Sequence, residues 1–135
     1  MRYLGLDVGE RWIGLAVGDA ASRLTTPLRT LRRSSRAADL GAIRRVCDAE
    51  GVQTIVVGLP RNMDGSLGPQ AQRTLAFTQA LQSLGLPIVF YDERLSSVAA
   101  EEYVTATRGR RPRPDERLDH VAAAIILQDY LDSSQ

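Results

Sequence analysis

Arg2-Tyr3-Leu4-Gly5-Leu6-Asp7-Val8-Gly9-Glu10-Arg11-Trp12-Ile13-Gly14-Leu15-Ala16-Val17-Gly18 is the stretch that decides the fold. Its alternation predicts a strand over residues 2–8 and a hairpin partner over residues 11–18. Gly9-Glu10 is the expected turn, because glycine at the first central position suits a type II′ geometry. Leu4, Leu6, Val8, Ile13, Leu15 and Val17 then share one face. The other face carries Gly5, Asp7, Gly9, Gly14, Ala16 and Gly18, with Tyr3 and Trp12 as its larger side chains. Asp7 therefore stands on a surface kept low by small residues, where another element or a ligand can approach the backbone closely.

Working outward, residues 25–31 read as a third strand and residues 36–50 as a helix, with Leu40, Ile43, Val46 and Cys47 at helical spacing and Gly51 as its stop. Residues 53–59 (QTIVVGL) form the short β-branched run of a buried parallel strand. Residues 60–68 are rich in turn formers, Pro69 suits the first position of a second helix, and Gly85 suits its end. A fifth strand is expected over 86–91 and a helix over 96–106, capped by Ser96 or Ser97. An Arg- and Pro-rich connector follows over 107–117, then an apolar helix over 118–131. Three meandering strands followed by alternating helices and strands predict an α/β fold, a five-stranded mixed sheet flanked by helices. Ligands of such sheets gather beyond the carboxyl ends of the parallel strands.

The 135 residues suffice for one domain, 1–135, with a real core. No apolar run approaches the ~20 residues that span a bilayer. Asp7, Glu10 and Arg11 interrupt any signal-peptide pattern, so no membrane association is expected. Cys47 is the single cysteine, which rules out an internal disulfide and a cysteine metal cluster and fits a cytoplasmic protein. Net charge is only +1, but all 17 basic residues are arginine. A mutational bias would produce that too, yet guanidinium forks bond phosphate oxygens bidentately. The arginines also cluster: Arg29, Arg32, Arg33 and Arg36 in one group, Arg108, Arg110, Arg111, Arg113 and Arg117 in another.

Three acids sit in apolar surroundings: Asp7, Glu93 after the run 88–92, and Asp119 ahead of Val121-Ala122-Ala123-Ala124-Ile125-Ile126-Leu127. Each has an ordinary explanation: a turn, a strand end beside Arg94, a helix start favoured by the helix dipole. Together at the edge of one crevice, they would repel one another and call for hard divalent cations with oxygen ligands. Two such ions roughly 4 Å apart suit phosphoryl chemistry. His120 fits a general base, or a helix residue whose hydrogen bond is satisfied within the fold. Arg61 and Asn62 lie in a loop that fits either a phosphate contact or a surface turn.

Four motifs together resemble the YqgF/RuvX proteins. They are Gly5-Leu6-Asp7-Val8-Gly9 with Ile13-Gly14-Leu15-Ala16-Val17-Gly18-Asp19; Ile55-Val56-Val57-Gly58-Leu59-Pro60-Arg61-Asn62-Met63-Asp64-Gly65; Asp92-Glu93-Arg94-Leu95-Ser96-Ser97; and Leu118-Asp119-His120-Val121-Ala122-Ala123-Ala124-Ile125-Ile126-Leu127. The resemblance runs in order along nearly the whole chain. It implies an RNase H-like (RuvC-like) fold and a nuclease, a hydrolase acting in 5′-end maturation of pre-16S rRNA during ribosome biogenesis. Resolution of Holliday junctions in recombination and repair is the alternative it carries. An RNA-binding ribosome-assembly factor without catalysis is a further one.

By the resemblance, Asp7, Glu93 and Asp119 are the catalytic and metal-binding residues, holding two ions of Mg²⁺ or Mn²⁺. Alternation does not choose between Asp92 and Glu93; Glu93 is taken because its side chain reaches further. Arg61, Asn62, Arg94, Arg110 and Arg111 are the expected substrate contacts. The expected partners are nucleic acid, as pre-rRNA or branched DNA, and ribosomal particles. A homodimer is expected if junctions are cut on both strands. The Asp7 hairpin also resembles the phosphate loop of actin-like ATPases, but those need a second lobe for which 135 residues leave little room.

Overall fold

Side-chain alternation along the first two strands organises the molecule, because it gives the sheet two apolar faces that must both be covered. The computed structural model describes residues 1–92 and 117–133. Strands β1 (Arg2–Val8), β2 (Trp12–Asp19) and β3 (Leu24–Arg32) form an antiparallel meander. Helix α1 (Arg36–Glu50), strand β4 (Thr54–Leu59), helix α2 (Pro69–Leu81), strand β5 (Ile88–Asp92) and helix α3 (Asp119–Ser133) follow. The sheet order is β3-β2-β1-β4-β5, with β4 parallel to both β1 and β5. The carboxyl ends of β1, β4 and β5 thus lie along one edge, the edge at which the sequence places its acids. The expected helix over 96–106 and most of the 107–117 connector lie outside the described residues.

The large side chains of the hairpin build the core on one face. Leu4, Leu6, Val8, Ile13, Leu15 and Val17 pack with Ile43, Val46 and Cys47 of α1 and Phe77 and Leu81 of α2. Burial pushes the Cys47 thiol up to about 11, so it stays protonated and serves as packing. Helix α1 begins where Ser35 Oγ accepts the Ala38 amide and ends where Gly51 turns left-handed (φ 66°), at the expected residues. Pro69 opens α2 as expected, but α2 stops at Leu81. A 3₁₀ turn, Gln82–Leu84, intervenes before Gly85 (φ 78°) ends the segment.

The small residues of the hairpin receive α3 on the opposite face. A Cβ on Gly5 would lie 2.9 Å from both the Ala123 carbonyl oxygen and Leu127 Cβ, and one on Gly18 would lie 3.0 Å from Leu127 Cδ2. Gly14 lies directly beneath Asp119. From Asp119 to Leu127 a helix rises ~12 Å, and from Gly14 to Gly18 a strand advances ~13 Å. The helix therefore runs along β2 with its N-terminus over the functional edge. Ala16 packs with Ala123 and Ala124, and Val56 with Ile126, Leu127 and Leu131.

The hairpin turn differs from the expected type II′ geometry. Gly9 and Trp12 pair, the Gly9 amide donating to the Trp12 carbonyl at 2.8 Å, so the central residues are Glu10 and Arg11. Gly9 does not have positive φ. What selects glycine is proximity, since a Cβ there would stand 2.9 Å from that same carbonyl oxygen.

Candidate active site

Asp7 is half-buried near the end of β1 and pairs across the ladder with Gly14. Its side chain shares the α3 face with Gly5, because Leu6 and Val8 on either side enter the other core. Gly14 has the Asp119 backbone seated on it, and a Cβ would collide there while approaching the His120 nitrogen to 2.7 Å. A single pair of neighbouring strand residues thus brings Asp7 beneath the first turn of α3. Asp7 and the backbone of Asp119 both neighbour Gly14.

The same register places Asp92. In β5, Asp92 pairs with Leu59 and Tyr91 with Gly58. Leu59 has the parity of Ile55 and Val57, which lie in the α1–α2 core, whereas Tyr91 packs with the α3 cluster. Asp92 is therefore directed to the face opposite Asp7. Glu93, Arg94, Arg110 and Arg111 lie outside the described residues.

Asp119 already holds a cation. Arg117 donates to its Oδ2 from Nη2 at 2.7 Å and from Nε at 3.0 Å, and the carboxylate is only 20% exposed. The same guanidinium lies 4.7 Å from the centre of the Trp12 ring, while Arg32 lies 5.2 Å from it. These contacts fix Arg117 at the mouth of the crevice. The guanidinium occupies Asp119 as a divalent ion would, and the hard carboxylate oxygens of Asp7 and Asp119 are the donors Mg²⁺ or Mn²⁺ prefer. The residues present fit such an ion. Among the described residues, no three His, Cys, Asp or Glu side chains converge on one point.

Sequence reasoning missed the Arg117–Asp119 pair as part of the site. Its only sequence signal is an arginine two residues before an acid that opens a helix. Competition between the two cations has a measurable consequence. Arg117→Ala is expected to bind Mn²⁺ several-fold more tightly in the absence of nucleic acid, as read by titration calorimetry; unchanged or weaker binding would remove Arg117 as a competitor.

His120 is held within the fold, its Nδ1 lying 3.1 Å from Thr30 Oγ1 on β3. That favours the structural reading over a general base. The loop after β4 is closed by its own groups: Arg61 Nη1 donates to the Gly65 carbonyl at 3.1 Å, and Asn62 Nδ2 to Ser66 Oγ at 2.9 Å. Arg61 and Asn62 follow β4 at the same sheet edge as Asp7, but in this arrangement their donors shape the loop.

Comparison with known proteins accords with this geometry. The RuvX family, described as Holliday junction resolvase, matches residues 1–133. A Moorella thermoacetica protein named "Putative pre-16S rRNA nuclease" is 48% identical over 133 residues, which cover 98% of this chain and 95% of that protein. Thermus thermophilus RuvC in complex with a Holliday junction substrate superposes with a TM-score of 0.63 at 19% identity, over 98% of this chain and 94% of that one. The Fowlpox virus resolvase, in complex with Holliday junction DNA, gives 0.59 at 10% identity over 98% of each chain. At those identities the two structures establish the RNase H-like fold. Sequence and fold together place this chain in the RuvX family of nucleases.

Proposed function

We propose that this nuclease hydrolyses phosphodiester bonds at the 5′ end of the small-subunit rRNA precursor, using Asp7, Asp119 and Glu93 to hold divalent cations. One observation carries the site: the first turn of α3 rests on Gly14, the cross-strand neighbour of Asp7. The choice of substrate draws on the curated relatives, which are named for pre-16S rRNA. Asp92 is directed to the face opposite Asp7. That supports Glu93 as the third carboxylate.

Mg²⁺ or Mn²⁺, when bound, supplies a more acidic water and neutralises charge developing on the phosphate. The chain's own residues do the rest. Asp7 and Asp119 would hold the ions from a central strand and from the start of the helix packed on it. Arg117, held beside Trp12, would offer its donors to a phosphate oxygen if a cation took its place on Asp119. Arg61, Asn62, Arg94, Arg110 and Arg111 are the proposed contacts to the nucleic-acid backbone; such contacts give affinity and salt dependence more than sequence choice. The single buried thiol suits a reducing cytoplasm, where precursor ribosomal particles are the partners.

Comparing cleavage of an RNA bearing the precursor 5′ extension with that of a four-way DNA junction, in Mg²⁺ and then Mn²⁺, tests the assignment. Preferential cutting of the precursor is expected. Symmetric cutting of the junction alone would reverse the choice and require a homodimer. Tight binding without cleavage of either would identify an RNA-binding assembly factor.

A further inference from the structure

The arginine cluster around residues 29–36 is not used by the carboxylate site, and the fold gives part of it a place. Arg32 and Arg33, at the end of β3, meet Arg11 from the hairpin turn, Arg36 from the start of α1 and Arg73 from α2 around a cavity of about 540 Å³. That volume falls in the usual range of small-ligand sites, about 300–1,000 Å³. Four separate parts of the chain supply these guanidiniums, so only folding assembles them.

The cavity has one rigid wall. Arg33 Nη1 donates to the Gly9 carbonyl at 2.8 Å, its Nε faces Asp39 Oδ2 at 3.8 Å, and its guanidinium lies 4.9 Å from the centre of the Phe77 ring. Asp39, only 3% exposed, also accepts the Ser34 amide at 3.0 Å. Its charge is thus answered by Arg33 and the backbone. Arg11, Arg32, Arg36 and Arg73 are exposed, and among the described residues none of them is ion-paired to a carboxylate. Glu10 is the one further acid in the lining. A net excess of positive charge in a concave site favours a multiply oxygenated anion.

Position selects the anion's source. The hairpin turn lies three to four residues beyond Asp7, roughly 10–13 Å of extended chain. Arg32 reaches the α3 face at Trp12, while Arg73 belongs to α2 on the other face. The cavity therefore wraps the sheet edge that carries the carboxylates. A strand lying on Asp7 and Asp119 would cross it within a few nucleotides.

We propose that this arginine-lined cavity at the hairpin tip binds a backbone phosphate of the nucleic-acid substrate, away from the bond that is cut. The assignment rests on the nuclease function of the Asp7 face. It fixes the direction of the bound strand, from α3 across the hairpin tip toward α2.

The test is binding of the Arg36→Ala/Arg73→Ala double variant to the precursor RNA and to a four-way junction, with Ca²⁺ replacing Mg²⁺ to prevent cutting. Both side chains are exposed, so the melting temperature should hold, and Arg45→Ala, on α1 away from the cavity, is the control. Expected is an affinity loss of about tenfold, with a shallower dependence of log Kd on log salt, by ~0.7 for each single-strand phosphate that the protein no longer neutralises. Wild-type affinity and slope in the double variant would overturn the proposal while leaving the nuclease intact. Failure of the wild-type protein to bind either nucleic acid would instead overturn the nuclease assignment itself. Titration with inorganic phosphate and with a mononucleotide separates the remaining source. Binding of those that the double variant loses, with nucleic-acid affinity unchanged, would assign the cavity to a free anion and overturn the backbone assignment.

Discussion

Asp7→Asn should abolish cleavage while leaving the fold in place. Asparagine matches aspartate in shape and keeps an oxygen toward α3, but it lacks the charge that holds a divalent cation. Asp7 is half-buried, and its neighbours Leu6 and Val8 carry the packing of β1. Removing outer partners of metal ligands typically costs 10–100-fold in affinity or activity, so loss of a central ligand should exceed about a hundredfold in kcat. Single-turnover cleavage at saturating Mg²⁺, alongside a thermal melt, checks both halves. Full activity at saturating metal would sink the assignment of Asp7; a collapsed melting temperature would make it a structural residue instead.

Gly14→Ala should damage both stability and activity, although it adds only one uncharged methyl group, between the cross-strand partner Asp7 and the start of α3. The new Cβ would collide with the Asp119 backbone. Neither partner can yield cheaply, since Gly14 sits in a ladder between β1 and β3 and α3 is anchored further along at Gly5 and Gly18. The first turn of α3 must lift. Overpacking of this kind typically costs about 1–3 kcal/mol, occasionally more. The same displacement moves Asp119 from Asp7, and a misplacement near 1 Å can cost about a hundredfold in rate. Chemical denaturation and cleavage assays should therefore both register the change. The contrasting substitution Gly41→Ala, on α1 where the nearest atom to a new Cβ is a flexible arginine tip at 3.6 Å, should be tolerated.

The hairpin was legible because large and small residues alternate along it, Tyr3 and Trp12 apart, and each set met the partner that its size allows. Tertiary pairing decided what alternation left open. Gly9 was expected for its positive φ, but close approach to Trp12 selects the same residue, and sequence does not separate the two causes. Alternation left the direction of Asp92 open, and the register of β5 on β4 ties it to the parity of Leu59. The end of α2 moved from Gly85 to Leu81 because the last residues tightened into a 3₁₀ turn before the left-handed glycine. In the site, Asp7 and Asp119 could be named from their apolar contexts and the family resemblance. Arg117 beside Trp12 and the Arg11–Arg73 cavity join residues far apart in the chain, so no local pattern announces them.

If Asp7 and Asp119 share a divalent-cation site, as proposed, metal affinity depends on both carboxylates. Calorimetric or electron-paramagnetic-resonance titration with Mn²⁺, on the wild-type protein, Asp7→Asn and Asp119→Asn, measures it without a substrate. Wild-type binding that is lost or weakened at least about tenfold in each folded variant is the predicted result. Equal Mn²⁺ affinity and stoichiometry in all three proteins would contradict it.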